Sequence, residues 1–212
     1  MKDTIGFDYD GVLGNSRRHA YKFANDILAL MGAEEMLVEQ GDFERLFGAA
    51  ALDRLVGHRR ADALRGTHRL AMLRAAREVP LFTETLAVID RQPLPCILIT
   101  AAYAEGVSAA LGDRAHIFRS ITGFETGRKA EIMATVADQL LTYVTDSVSD
   151  LRICQRLDIA TIAVTGGYDK AEDLIAAGAD LIASTPGELD EALARFHPTQ
   201  TLNMKENHHE LP

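Results

Sequence analysis

Short apolar runs punctuate the chain, and stretches with helical spacing follow most of them. The runs at 4–9 (TIGFDY), 95–100 (PCILIT), 117–122 (IFRSIT), 142–145 (TYVT), 161–165 (TIAVT) and 181–183 (LIA) read as strands. Helical spacing occupies 105–111, 128–140, 148–157 and 170–177, and 186–196 forms the last helix. Near-continuous apolar strands alternating with helices predict a doubly wound α/β fold, a Rossmann-like parallel sheet covered on both faces. Ligands of such sheets sit beyond the carboxyl ends of the strands.

One interval breaks the rhythm. From Asp10 to the strand at 95 the chain is far longer than the ~30 residues of a simple βαβ unit, and its pattern is helical. Ala20, Phe23, Ala24, Ile27, Leu28 and Met31 recur at i, i+3, i+4, i+7, i+8 and i+11. Leu64, His68, Ala71, Met72 and Ala75 mark a second stripe that Pro80 closes. This places an all-helical cap domain at 15–81, inserted into a core of 1–14 and 82–196, with a polar tail at 197–212 that is expected to dock loosely.

The strand ends carry the chemistry. Asp8 and Asp10 follow the first strand, Thr100 ends the second, Lys129 opens the helix after GFETGR, and Asp146 and Asp150 lie in TDSVSD. In a parallel sheet these ends share one edge, so the residues converge. Several carboxylates there cannot all stay ionised in a dry site. A Mg²⁺ ion, which takes hard oxygen ligands, would relieve the repulsion. Lys129 and the Thr100 hydroxyl are then placed to hold a dianionic phosphoryl group.

DYDGVL at 8–13, Thr100, Lys129 and TDSVSD at 145–150 resemble, in order and spacing, the four motifs of the haloacid dehalogenase-like hydrolases. The segment 163–189 is similar to the closing part of phosphoglycolate phosphatase-like members, in the branch that also holds β-phosphoglucomutase. The resemblance implies a Mg²⁺-dependent phosphatase that cleaves a small phosphate monoester through an aspartyl-phosphate. Asp8 would be the nucleophile and Asp10 the general acid and base. Asp8, the Asp10 carbonyl and Asp146 would bind Mg²⁺, and Asp150 would hold a metal-bound water. Thr100 and Lys129 would bind the phosphoryl group. Two positions depart from the pattern: Thr145 stands where glycine is usual, and Ala101–Ala102 where a small polar residue and asparagine are common.

A phosphomutase would use the same residues. A dehalogenase lacks the second aspartate, so Asp10 counts against it. An aspartate-rich module that binds Mg²⁺ and is switched by phosphorylation is the non-enzymatic alternative.

Charge and composition narrow the partners. A net charge of −9 opposes nucleic-acid binding through bulk electrostatics. No run approaches the roughly 20 apolar residues of a membrane helix, and MKDTIGFDYD is unlike a signal peptide, so a cytoplasmic protein is expected. Cys96 and Cys154 sit in apolar patterns and read as buried thiols. The cap carries Arg54, Arg59, Arg60, Arg65, Arg69, Arg74 and Arg77, most of them expected on a solvated face. Arg59 and Arg60, with His58, follow Gly57 in LVGHRR, a turn that would let one of them reach the substrate. His68 is expected as a core histidine, and His208 and His209 lack a third partner for a metal.

Overall fold

The structure, a computed structural model, describes residues 2–196. The expected tail at 197–212, with His208 and His209, lies outside the described residues.

Six parallel strands form one sheet in the order β3-β2-β1-β4-β5-β6. They are β1 (Thr4–Phe7), β2 (Cys96–Ile99), β3 (Ser120–Thr122), β4 (Leu140–Thr145), β5 (Ala160–Val164) and β6 (Leu181–Ala183). The order reverses at β1, which pairs with β2 on one side and β4 on the other. That switch point opens a crevice at the carboxyl edge, directly above Asp8.

Alternation along the strands feeds two cores. On one face Phe7, Leu98, Val144 and Ile162 pack under α4 (Thr83–Asp90), α5 (Ala104–Leu111) and α9 (Pro186–Ala194). On the other, Ile97, Ile99, Leu140 and Tyr143 meet Ile132 and Met133 of α6 (Lys129–Val136) and Cys154 of α7 (Val148–Arg156). Leu174 of α8 (Ala171–Ala176) extends that layer against Leu151 and Ala163. Cys96 and Cys154 are buried and unbridged, and burial pushes both thiols up to about 12.

Two expected boundaries shift, and one helix was not expected. The helix expected through 140 ends at Val136, because Leu140 already pairs with Thr4 as the first residue of β4. The strand expected from 117 begins at Ser120, since Gly112–Ile117 winds into a 3₁₀ helix that Phe118 pins beneath Phe7. Helix α4, absent from the sequence pattern, buries Leu86, Val88 and Ile89 in a stretch too short to show a clear period.

Between Gly14 and Leu81 the described chain contains helices and no strand. They are α1 (Arg17–Leu30), a π-helical turn (Phe43–Phe47), α2 (Ala49–Val56) and α3 (His58–Ala75), with a 3₁₀ turn at Ala76–Glu78. Ala24, Ile27, Leu28, Phe47, Leu52 and Ala61 form a separate small core. The two chain crossings run side by side: Gly14 bridges Leu81, the Asn15 N–H donates to Pro80 O, and the Phe82 N–H donates to Leu13 O. Among the described residues, no helix is long and apolar enough to cross a membrane.

Candidate active site

Asp8 still belongs to the ladder, its N–H donating to Val144 O at 2.9 Å. The chain then turns tightly. Tyr9 O accepts the N–H groups of Leu13 and Gly14, and Gly11 adopts φ 73°. Ending the strand there frees Asp10 from strict alternation, so Asp8 and Asp10 both line a cavity of about 380 Å³. Lys129, Asp146 and Asp150 line it too.

Lys129 is the hub of the cluster. It is buried at the first turn of α6, with Nζ 2.8 Å from Asp8 Oδ2 and 2.5 Å from Asp150 Oδ2. Burial alone would lower its pKa, but Asp150 and Asp8 together hold it well above the usual lysine range. The other Asp8 oxygen, Oδ1, accepts the Tyr9 N–H at 2.7 Å.

Thr145, where the resemblance would have placed glycine, joins the network. Its hydroxyl donates to Asp150 Oδ2 at 2.9 Å and accepts the Ser147 N–H at 3.2 Å. One Asp150 oxygen, Oδ2, is thus shared by Thr145 and Lys129, and orients the lysine.

Asp146 is held differently. Its Oδ2 accepts the Tyr168 N–H at 2.6 Å, and its carboxyl lies between Gly11 and Gly167. A methyl group built on either glycine would stand 1.8 or 1.9 Å from that same oxygen. Burial pushes the Asp146 carboxyl up to about 7, with the charge of Asp150 adding to it. Burial likewise raises Asp10, against lowering by the Ser16 hydrogen bond and Lys129. It also raises Asp8 well above the carboxylate range despite Lys129.

The cluster therefore has more carboxyl groups than cations, and Asp10 Oδ1 is buried without a hydrogen-bond partner. Among the described residues, no three His, Cys, Asp or Glu side chains converge closely enough to hold a cation alone. Two carboxylates, a backbone carbonyl and waters are nonetheless a donor set that suits a small hard cation.

Thr100 is fully buried. It ends β2 with its hydroxyl accepting the Ala102 N–H at 3.0 Å. Ala101 and Ala102, rather than Thr100, line the cavity. Arg59 and Arg60 do not line it: they are exposed in the first turn of α3. Further along that helix, Arg65, His68, Arg69 and Met72 do line it. Their spacing of i, i+3, i+4 and i+7 is one helical face. The sequence showed half of that face as an apolar stripe; its two arginines are the part the turn reading missed. His68 is buried, with Nε2 donating to Ala20 O at 3.0 Å and its ring against Phe43 and Phe47.

The helical layer is clasped to the loop after β5. Gln40 Nε2 donates to Gly167 O and Asp169 O at 3.0 and 2.7 Å, Arg17 to Gly167 O, and the Gly41 N–H to Tyr168 O.

No family model and no curated protein matches the sequence. Solved structures do match, haloacid dehalogenase-like proteins among them. A hydrolase of that family from Streptococcus pneumoniae has a TM-score of 0.69 at 18% identity, over 92% of this chain and 99% of its own. A predicted phosphatase from Clostridium acetobutylicum has a TM-score of 0.72 at 16% identity, over 92% and 99%. CbbY from Rhodobacter sphaeroides, solved in complex with phosphate, has a TM-score of 0.65 at 18% identity, over 89% and 96%. The chain has the fold of the haloacid dehalogenase-like hydrolases along nearly its whole described length.

Proposed function

We propose that this protein is a Mg²⁺-dependent phosphatase that hydrolyses a small phosphate monoester through an aspartyl-phosphate on Asp8. The carrying observation is the buried Lys129 clamp on Asp8 and Asp150, beside an Asp146 carboxyl that burial pushes to about 7. The phosphate bound by CbbY, a neighbour of the same fold, supports the substrate class.

Asp8, the Asp10 carbonyl and Asp146 would hold Mg²⁺, which when bound supplies positive charge for the phosphoryl oxygens and lets both carboxyl groups ionise. Lys129 and the Asp8 side chain fix each other, so the nucleophile is oriented before substrate arrives. An Asp8 oxygen attacks phosphorus, and the bond to the leaving oxygen breaks. Asp10, its pKa raised by burial, carries the proton that the leaving alkoxide takes up. The same carboxylate then takes a proton from the water that hydrolyses the aspartyl-phosphate. The Thr100 oxygen accepts from the Ala102 N–H and so would shape the loop that lines the cavity beside the phosphoryl group. Lys129 neutralises charge on the transferred group. Asp150 acts by holding the lysine.

The test is phosphate release from p-nitrophenyl phosphate and a panel of small monoesters. Turnover should require Mg²⁺, stop with EDTA, and fall at least ~10³-fold in Asp8→Asn. Undiminished turnover by Asp8→Asn would overturn the reading.

A further inference from the structure

The wall of the cavity facing the aspartates is built from α1, the π-helical turn and α3. Ala20, Phe43, Phe47 and Met72 give it an apolar surface. The Phe43 and Phe47 rings are tilted 5.5 Å apart, and both contact the His68 ring at 5.6 and 5.1 Å.

Most polar groups of that wall are already engaged. His68 Nε2 donates to Ala20 O, and the Tyr168 hydroxyl bonds Ser16 at 3.1 Å. Arg65 is paired with Asp53 and Asp62. The Glu44 carboxyl lies beside Gly48, exposed and without a hydrogen-bond partner among the described residues. Apart from the Glu44 carboxyl, a leaving group rich in hydroxyls would find rings and a thioether on that wall where it needs donors and acceptors, and each buried unpartnered hydroxyl costs binding.

Among the cationic groups of the wall, Arg69 is the exception. Its guanidinium lies 3.6 Å above the Phe124 ring, and Nε donates to Ala101 O at 3.3 Å. It is half-buried, and among the described residues it has no carboxylate partner. The Ala101 contact holds it beside the loop that follows Thr100. Both Nη groups remain for an anion, and their planar fork matches a carboxylate.

We infer that the substrate is a phosphate monoester whose organic part is compact and apolar, best an aromatic ring, and carries a carboxylate bound by Arg69. This rests on the phosphatase reading and narrows it, setting polyhydroxylated sugar phosphates aside. Arg69 is here a specificity-determining residue.

Three probes with comparable primary alkoxide leaving groups test it under Mg²⁺: benzyl phosphate, 4-carboxybenzyl phosphate and glucose 6-phosphate. The wild type should turn over both benzyl esters with kcat/KM at least ~10-fold above glucose 6-phosphate. The carboxylate should add a further ~10-fold, chiefly through a lower KM. In Arg69→Gln the ratio of 4-carboxybenzyl to benzyl phosphate should fall to about one, and Arg69→Lys should restore part of it. Because the ratio compares two substrates on one variant, a lower folded fraction cancels. A wild type that prefers glucose 6-phosphate, or a carboxylate preference that survives Arg69→Gln, overturns the inference while leaving the phosphatase reading intact. Failure to release phosphate from any ester, p-nitrophenyl phosphate included, overturns the phosphatase reading itself, and this inference with it.

Discussion

Two aspartates in different parts of the molecule are bonded in similar ways and behave in opposite ways. In the helical cap, Asp42 accepts Arg45 at 2.7 Å and the Val38 and Glu39 N–H groups at 3.0 and 2.8 Å. Those bonds, the arginine first, hold its carboxyl down at about 2. At the sheet edge Asp146 also accepts a backbone N–H, yet its carboxyl is pushed up to about 7 by burial. The difference is what surrounds the bonds. A guanidinium pairs with Asp42, whereas Asp146 is enclosed with other carboxyl groups. A hydrogen bond stabilises a charge, but it does not replace the hydration lost on burial. The cap uses charge to fasten a turn; the core stores it in a state that a cation would relieve.

The largest effect should come from breaking the core arrangement at Lys129. Lys129→Met leaves Asp8 and Asp150 buried without their cation, and should cost about 3 kcal/mol of stability at pH 8 by urea unfolding. The loss should shrink at pH 5, where the orphaned Asp8 carboxyl, already raised by burial, can take up a proton. Activity should fall at least ~10²-fold.

Next comes the pH dependence of the metal-free protein. Between pH 4 and 7 folded Asp146 holds a proton that the unfolded chain has released, since its carboxyl is raised to about 7 from an ordinary 3.8. Stability should therefore decline as pH rises through that window and level off above it. Thermal unfolding in EDTA should give a lower Tm at pH 8 than at pH 6. Mg²⁺ should raise Tm more at pH 8 than at pH 6, and Asp146→Asn should abolish that difference.

The cap's counterpart is smaller and has the opposite sign. Asp42 contributes stability that is present above pH 4 and lost as pH falls towards 2. Asp42→Asn should lower Tm at pH 7 by a few degrees and have a vanishing effect near pH 2. Smallest of all is the exposed Lys22–Asp26 pair at 2.8 Å on α1. Lys22→Ala should change stability by no more than about 0.5 kcal/mol.

The sheet was legible because each strand is a short apolar run, and the acidic edge because its carboxylates follow those runs at the carboxyl end. Asp8, Asp10, Lys129, Asp146 and Asp150 meet in one cavity although they span 8–150 in sequence. Elements without a distinctive period were hidden. The π-helical turn at Phe43–Phe47 fits neither a helix nor a strand pattern, and α4 is eight residues long. The facing of the cap arginines was hidden for a related reason. A glycine-flanked turn drew attention to Arg59 and Arg60, whereas facing is decided by helical phase, which puts Arg65 and Arg69 beside His68 and Met72. Thr145 was seen as a departure; its bond to Asp150 needed coordinates.

Gly11 and Gly167 carry a last consequence. Both border the Asp146 carboxyl so closely that one added carbon would overlap it. The acidic pocket is thus shaped by two missing side chains, one on each flank, as a mould is shaped by its hollow. Alanine at 167 would evict the carboxyl without changing the identity of any reactive residue, a lesion invisible to any inspection confined to charged positions.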